Sequence, residues 1–170
     1  MKETCWVLTG PTASGKTALS LRLAQTHDCE IVCMDSMQIY RGMDIGTAKP
    51  TADECAQAVH HMVDVADPTE DFSVARYQEM AESCIADIQA RGHRALLVGG
   101  TGLYLRALRQ PMAMGEAAAD EGIRQELQRI ADAPGGKEQL HQQLAAVDPD
   151  TAQRLHLNDV RRVIRALEVY

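Results

Sequence analysis

The sequence lacks several features that mark particular classes of protein. No apolar run approaches the ~20 residues that are needed to cross a bilayer, and aromatic residues make up only 4% of the chain, so a core must be mostly aliphatic. Basic residues do not dominate, because the net charge is −7, which argues against a protein that coats nucleic acid nonspecifically. The apolar fraction of 45% over 170 residues is still enough for one domain, or for one domain and part of another.

The five cysteines do not form a metal or disulfide pattern. Their number is odd and no C-x-x-C pair occurs, while Cys29 and Cys33 stand near each other without a second pair. We therefore expect reduced thiols in a cytoplasmic protein rather than a zinc site. The first four residues lead straight into a predicted strand, so we also expect no signal peptide.

What the sequence does contain is a phosphate-binding motif close to its start. Residues 10–17 fit the pattern G-x-x-x-x-G-K-S/T at every fixed position. Two glycines let the loop turn its amides inward, the start of a helix adds a positive dipole end, Lys16 adds a charge, and the Thr17 hydroxyl can bind Mg²⁺. A glycine turn that merely caps a helix is the alternative, and the flanking strand and helix patterns argue against it. The candidate residues for binding a di- or triphosphate are Gly10, Pro11, Thr12, Ala13, Ser14, Gly15, Lys16 and Thr17, with Thr17 also the candidate metal ligand.

Strand and helix patterns alternate through residues 1–110. Strands are predicted over Thr4–Thr9, Glu30–Met34, His60–Val65 and Arg94–Val98, with helices between and after them. This order predicts an α/β fold, a P-loop NTPase-like parallel sheet flanked by helices. Only helical patterns follow, at 120–132, 137–147, 149–156 and 159–170. We therefore predict an α/β core over residues 1–110 and a helical insertion lobe over residues 111–170.

Asp35 ends the second predicted strand, at the edge of a parallel sheet where ligands commonly bind. We expect it to lie beside the phosphate loop. It could hold Mg²⁺ through water, or act as a general base toward an acceptor. The structural alternative is a carboxylate that caps a turn or a helix.

Gly99-Gly100-Thr101-Gly102 follows the last predicted strand. Glycines at this position allow a ligand to approach the backbone closely, and Thr101 supplies a hydroxyl. A tight turn in which Thr101 caps the next helix explains the same residues equally well.

A basic cluster lies near the end of the chain, at Arg154, Arg161, Arg162 and Arg165. Arg161 and Arg165 fall on one face of the last predicted helix. Such a cluster can hold the phosphates of a nucleic acid. A solvated helix face is the alternative, and for a charge run it is the more common one.

Several of these segments together resemble the tRNA dimethylallyltransferases, also called tRNA isopentenyltransferases. The resemblance is carried by Gly10–Thr17, Asp35–Pro50, His60–Ser73, Leu97–Tyr104 and His156–Tyr170. The run from Asp35 to Pro50 is the most specific of them. One departure is Leu157, where members of the family usually have proline before Asn158-Asp159.

The resemblance implies a reaction and a set of roles. Members transfer a dimethylallyl group from dimethylallyl diphosphate, with Mg²⁺, to N6 of the adenosine 3′ of the tRNA anticodon, and consume no nucleoside triphosphate. Asp35 would take the N6 proton, Thr101 would contact the reacting groups, and the anticodon stem-loop would be the partner of a monomeric, cytoplasmic protein with no membrane contact. The tRNA-binding residues implied are Asp35, Ser36, Met37, Gln38, Asp159, Val160, Arg161, Arg162 and Val163.

Family members run close to twice the length of this chain. We therefore expect an incomplete sheet, a truncated helical lobe and a chain that resembles the amino-terminal portion of the enzyme, whose activity alone stays open. Two other functions remain possible from the residues. One is a P-loop kinase acting on a small molecule, and the other is a non-catalytic nucleotide or tRNA binder.

Overall fold

The computed structural model describes residues 5–110 and 120–170. Its backbone divides into two compact units, residues 1–111 and 112–170. The predicted start of the first strand at Thr4, and the first four residues on which the expectation of no signal peptide rests, lie outside the described residues. The same is true of residue 111, where the helical lobe is predicted to begin.

The first unit is a four-stranded parallel sheet with helices packed against it. In space the strands follow the order β1-β4-β2-β3, and each neighbouring pair is parallel. The predicted P-loop NTPase-like α/β fold is therefore confirmed. The strands are β1 (Trp6–Thr9), β2 (Cys29–Cys33), β3 (His60–His61) and β4 (Arg94–Gly99), and the helices are α1 (Lys16–His27), α2 (Ala52–Gln57), α3 (Val74–Ala90) and α4 (Gly102–Arg109).

The two inner strands, β2 and β4, carry the core of this unit because both of their faces are covered. All five residues of β2 are buried. Ile31 belongs to a cluster with Leu21 of α1, whereas its neighbour Val32 belongs to a second cluster with Tyr77 and Ile88 of α3. A strand that is covered on both faces is apolar at successive positions, and this is why β2 could be predicted from the sequence.

Tyr77 of α3 contacts both the carboxyl end of β2 and helix α4. Its hydroxyl donates to the Cys33 carbonyl over 2.9 Å, and its ring stacks on that of Tyr104 with centroids 3.7 Å apart. Burial raises the pKa of Tyr77 far above its ordinary value, so the phenol stays a donor. This contact fixes α3 and α4 beside the residues that follow β2.

The prediction of a strand from His60 to Val65 is wrong after His61. Met62 and Asp64 have φ angles of 61° and 56°, which lie in the left-handed region and cannot continue a strand. The chain turns instead toward residues 38–41. There the amides of Asp64 and Val65 donate to the carbonyls of Gln38 and Ile39 over 3.2 and 2.8 Å.

The second unit is a small helical bundle, and its four predicted helices are all present. They are α5 (Glu121–Asp132), α6 (Gly136–Val147), α7 (Pro149–Arg154) and α8 (Val160–Val169). Asp120 is the N-cap of α5 and Asp148 is the N-cap of α7. The carboxylate of each accepts a hydrogen bond from the backbone amide three residues later in the chain. Leu140, Leu144 and Val163 form the centre of its core. Within the described ranges, no helix of either unit is both long and apolar enough to cross a membrane.

Candidate active site

The predicted phosphate loop connects β1 to α1. Gly10, Ala13 and Gly15 have φ angles of 155°, 62° and 80°, so the backbone curls as a nest of amides requires. Gly15 is the N-cap of α1. The ammonium of Lys16 folds back over the loop and donates to the carbonyls of Gly10 and Pro11 over 2.9 and 2.6 Å. Residues 11–15 are exposed, so the nest opens to solvent and suits an anion the size of a diphosphate.

The glycine turn after β4 lies between this loop and the end of β2. A Cβ on Gly99 would overlap the carbonyl of Met34, and a Cβ on Gly100 would stand 3.5 Å from the carbonyl of Gly10. The backbone of Gly99 approaches that of Met34 this closely only because a side chain is missing, whereas the distance at Gly100 is an ordinary van der Waals contact. Gly99 therefore serves the close approach of two protein segments.

Thr101 joins the glycine turn to the residues after β2. It occupies the N-cap of α4, but its side chain makes no capping hydrogen bond. Its Oγ1 accepts instead from the amide of Ser36 over 3.1 Å, and its own amide donates to the Met34 carbonyl over 3.2 Å. Thr101 therefore caps α4 by its position, as one of the two sequence readings expects, but through its backbone carbonyl and not through its side chain.

Asp35 lies at the carboxyl end of β2, next to this bridge. The side chain is half-buried, and Oδ1 accepts from the amide of Met37 over 2.9 Å. This is an Asx turn, so the turn-capping role considered from sequence is present. It fixes the carboxylate beside the Ser36–Thr101 contact without burying it. The group can therefore still meet a bound molecule.

One expectation about Asp35 needs correction. From sequence we expect it to lie beside the phosphate loop. In the sheet, β4 lies between β1 and β2. The order across the site is therefore phosphate loop, glycine turn, Asp35, so that Gly100 and Thr101 separate the carboxylate from the loop.

Gln38 closes the segment that follows Asp35. Its Nε2 donates to the carbonyls of Thr47 and Ala48 over 3.0 and 2.8 Å, and its Oε1 accepts from the buried Cys33 thiol over 3.1 Å. Burial raises the pKa of Cys33 to about 12, so the thiol keeps its proton. In this structure the Gln38 amide holds the loop together, and its predicted contact with RNA stays a prediction.

Lys49 is a second residue that holds the same segment. Its side chain is 6% exposed, and its ammonium lies 2.5 Å from Asp44 and 2.7 Å from Asp64. It also donates to the Tyr40 carbonyl over 2.8 Å. Burial alone lowers the pKa of Lys49, but the hydrogen bonds to both carboxylates outweigh it and hold the pKa above its ordinary value. The pairing of Lys49 with Asp64 could not be predicted from their spacing in the sequence, because the two residues come together only in the folded protein.

The most strongly perturbed carboxylate of the first unit lies where the strands begin, away from these segments. Glu30, the second residue of β2, is 7% exposed and forms a two-pronged ion pair with Arg91. His61 Nε2 lies 2.6 Å from its Oε2. The Arg91 guanidinium holds the pKa of Glu30 down to about 2, against the opposing effect of burial. This network ties β2, β3 and the end of α3 together.

The residues predicted to bind tRNA near 160 form part of the helical unit. Asp159, Arg161 and Arg162 are exposed and Val160 is half-buried. Val163 is 1% exposed and packs in the core, and its place among the tRNA-binding residues stays a prediction. Arg161 lines a hollow of about 450 Å³ between α5 and α8.

Two arginines in that hollow are held by one buried carboxylate. The Glu168 side chain is fully buried and lies 3.0 Å from Arg124 of α5 and 2.8 Å from Arg165 of α8. Its Oε1 also accepts from the Asp120 amide over 2.9 Å. Burial alone would raise the pKa of Glu168, but the hydrogen bonds from Arg165, the Asp120 amide and Arg124 keep it below the ordinary value.

Metal ligands of the common clustered kind are not found in the described part of the chain, where no group of three His, Cys, Asp or Glu residues could hold an ion. The predicted ligand Thr17 is exposed in the first turn of α1. Magnesium bound with phosphates takes most of its ligands from phosphate oxygens and water. One accessible hydroxyl beside the loop therefore fits Mg²⁺ that arrives with a diphosphate.

Comparisons with known proteins agree on one group. Residues 38–170 match the family model described as "IPP transferase". The chain is 51% identical over 170 residues to the tRNA dimethylallyltransferase of Geobacillus thermodenitrificans, covering 54% of that protein. It is 56% identical over 163 residues, or 96% of this chain, to the tRNA dimethylallyltransferase of Roseiflexus castenholzii, covering 53% of that protein. The chain thus spans about half the length of the curated relatives it matches.

Solved structures give the same result. The full-length tRNA isopentenylpyrophosphate transferase of Bacillus halodurans matches 99% of this chain and 55% of its own, with 47% identity and a TM-score of 0.66. A eukaryotic dimethylallyltransferase described as acting on tRNA matches 99% of this chain and 42% of its own, with 32% identity and a TM-score of 0.82.

Proposed function

The chain belongs to the IPP transferase family, and on that premise we propose that it carries the donor site and the acceptor-activating residue of a tRNA dimethylallyltransferase. The reaction transfers a dimethylallyl group from dimethylallyl diphosphate to N6 of the adenosine 3′ of the anticodon, and releases diphosphate. The observation that supports it best is the order of three segments across one sheet edge: a phosphate loop, a glycine turn with a hydroxyl, and a carboxylate. Prenyl transfer to an amine needs a group for the leaving anion and a group for the departing proton, and these segments offer both.

The phosphate loop would hold the donor by its diphosphate. As the bond between carbon 1 of the dimethylallyl group and the diphosphate oxygen breaks, negative charge collects on the leaving group. Amides of residues 12–17 and the Lys16 ammonium would stabilise that charge, because donors already pointed at it need no rearrangement. Lys16 would exchange its bonds to the Gly10 and Pro11 carbonyls for bonds to phosphate oxygens.

Asp35 would act as the general base. The N6 nitrogen of adenosine forms the new bond to carbon 1, and its proton passes to the carboxylate. The adenosine must leave its stack to reach the donor, and the exposed side chain of Met37, with Ser36 and Gln38, would border it. Thr101, held between the loop and Asp35, would contact the reacting groups.

Magnesium would bind at the Thr17 hydroxyl and the donor's phosphates. Its chemistry is charge neutralisation, which makes the diphosphate a better leaving group. The chain's own part is to present an accessible hydroxyl at the first turn of α1 and a curled backbone beside it. Asp35 could also reach the ion through water, as considered above.

The helical unit would contribute to RNA binding. Asp159, Val160, Arg161 and Arg162 lie at the start of α8, and the two arginines are exposed, so they can contact phosphates of the anticodon stem. Val163 would support them from the core. A monomeric state and a cytoplasmic location stay expectations from sequence.

The test compares the chain alone with the chain extended by the carboxyl-terminal part of the Geobacillus thermodenitrificans relative. Both are incubated with labelled dimethylallyl diphosphate, Mg²⁺ and an anticodon stem-loop RNA. We expect label transfer by the extended protein. Asp35→Asn should lower it by at least ~10²-fold with donor binding kept, whereas Asp71→Asn, at an exposed position of the same unit, should not.

Other results would contradict the proposal. Phosphoryl transfer or hydrolysis of ATP without prenyl transfer would favour the kinase alternative. Binding of donor or RNA without turnover in either form would favour a non-catalytic binder. Near-normal turnover by Asp35→Asn would remove Asp35 as the base.

A further inference from the structure

Lys49 is a buried cation that the proposed reaction does not use. Its side chain is 6% exposed, and its ammonium lies 2.8 Å from the Tyr40 carbonyl, 2.5 Å from the Asp44 carboxylate and 2.7 Å from the Asp64 carboxylate. An ammonium has three N–H donors, so these three oxygens use all of them. Lys49 therefore suits a task within the protein better than a contact with a bound phosphate, which would have to displace one of these partners.

A chain of three hydrogen bonds joins this ammonium to the carboxylate of Asp35. Lys49 donates to the Tyr40 carbonyl over 2.8 Å, and the Tyr40 amide donates to the Met37 carbonyl over 3.4 Å. The Met37 amide in turn donates to Oδ1 of Asp35 over 2.9 Å. Each bond fixes the peptide group that makes the next one, so a shift at Lys49 reaches the carboxylate through consecutive turns of the backbone.

Gln38, which lies within the same turns, is tied to Lys49 by two further contacts. Its Nε2 donates to the carbonyls of Thr47 and Ala48, the two residues that precede Lys49. Its own carbonyl accepts from the amide of Asp64 over 3.2 Å, and the side chain of Asp64 is one of the partners of Lys49. The turn that carries Gln38 is therefore held on both sides by groups that Lys49 fixes.

We propose that Lys49 is a positioning residue for the transfer step: it sets the direction of the Asp35 carboxylate through residues 37–40 and does not touch the substrates. This role rests on the proposed function, in which Asp35 takes the N6 proton. Asp35 is half-buried, so its direction depends on the turn that holds it. A general base must lie within hydrogen-bonding reach of the proton that it takes, and a misplacement of about 1 Å can lower a rate by ~10²-fold.

The experiment measures label transfer by the extended protein in a single turnover, with saturating dimethylallyl diphosphate and anticodon stem-loop RNA. Lys49→Met removes the ammonium and keeps most of the apolar stem. We expect the transfer rate to fall by about 10- to 100-fold. The dissociation constants for donor and RNA should change by less than about 3-fold, because the phosphate loop and the exposed arginines of α8 lie outside the segment that Lys49 holds.

Two further variants separate positioning from stability. Glu30→Gln is the matched control, because it also removes a buried charge contact of the first unit, where the strands begin. Its transfer rate should stay within about 2-fold of the native rate, since distant sites act independently. Lys49→Arg keeps the charge, but a broad planar fork cannot place one nitrogen among the same three oxygens. Its rate should lie between those of Lys49→Met and the native protein, at least about 3-fold below the latter.

A second measurement does not depend on turnover. The amide of Met37 holds the Asp35 carboxylate, so its hydrogen exchange reports on this turn directly. Lys49→Met should speed exchange at Met37 by at least about 10-fold relative to the amides of α3, whereas Glu30→Gln should leave it unchanged.

Every result counts for or against this role. A native transfer rate in Lys49→Met, or an equal loss in Glu30→Gln, would overturn it. A loss confined to donor or RNA affinity would also overturn it, because Lys49 would then act on binding. If Lys49→Met does not fold, a native rate in Lys49→Arg would refute the role and a fall of at least about 3-fold would support it. If the native extended protein transfers no label, the proposed function fails, and exchange at Met37 alone decides whether Lys49 holds the carboxylate.

Discussion

Replacing Glu30 with glutamine tests the charge network where the strands begin. The substitution keeps the shape of the side chain and removes its charge. His61 then loses its anion, and of its partners in the described part of the chain Arg91 keeps only Asp87, 3.1 Å away. A pKa near 2 in place of the ordinary 4.5 corresponds to about 3 kcal/mol at 1.36 kcal/mol per pKa unit. Because the Arg91 side chain is 42% exposed and partly screened by water, we expect about 2 kcal/mol of lost stability at pH 7.

The lowered pKa of Glu30 also fixes how its contribution to stability changes with pH. The folded-state pKa of Glu30 is lowered, so its contribution is fully present above about pH 4.5 and is lost as the pH falls toward 2. The penalty of Glu30→Gln should therefore hold from pH 7 to pH 5. It should fall to roughly half or less by pH 3, because the carboxylate of the unfolded chain is then protonated while that of the folded chain is still mostly charged.

The assay is urea unfolding followed by the fluorescence of Trp6, the single tryptophan, which belongs to the same unit as Glu30. Glu79→Gln is the control at an exposed position on α3, and should change the free energy of unfolding by less than about 0.5 kcal/mol. An equal penalty at pH 3 and pH 5 would show that Glu30 acts through packing and refute the electrostatic reasoning.

Three further substitutions test other contacts. Gly99→Ala should destabilise the first unit by about 1–3 kcal/mol in urea, because the added Cβ overlaps the Met34 carbonyl; an unchanged midpoint would mean that β4 can move away. Lys49→Met should speed amide exchange over residues 38–48 by at least about 10-fold, because two charge-assisted hydrogen bonds are lost, with α3 as the internal reference. Glu168→Gln should lower the stability of the helical unit by about 2–4 kcal/mol, read from that unit's transition when thermal circular dichroism is fitted with two transitions, since two arginines lose one buried partner. Equal melting of Glu168→Gln and the native chain would contradict that account.

Local signals were enough to predict most elements of this fold. A buried strand shows as an apolar run, as at Ile31 and Val32, and a helix start shows as a capping residue, as at Asp120. The phosphate loop is readable because its glycines, lysine and threonine must stand at fixed spacing to shape one short backbone segment. Each of these signals lies within a few residues of the feature that it predicts.

What the sequence could not provide depends on contacts between distant segments. Nothing near Asp35 reveals that β4 separates it from the phosphate loop, because strand order is set by how helices cover the sheet. The strand predicted through Val65 ends early because Asp64 turns toward Lys49 and Gln38, fifteen and more residues away. Through these contacts Gln38 and Lys49, two polar residues of a loop, hold that loop in its conformation.

The apolar cores of the two units also decide how heat will act on this chain. The clusters around Tyr77 and Ile31 belong to the first unit and the cluster around Leu140 belongs to the second, so the melting of the two units need not coincide. Trp6 packs against the Ile31 cluster, so tryptophan emission follows only the first unit, while far-ultraviolet ellipticity sums the helices of both. A single midpoint temperature would then describe neither unit, and calorimetry should be fitted with two transitions before any variant is ranked by one number.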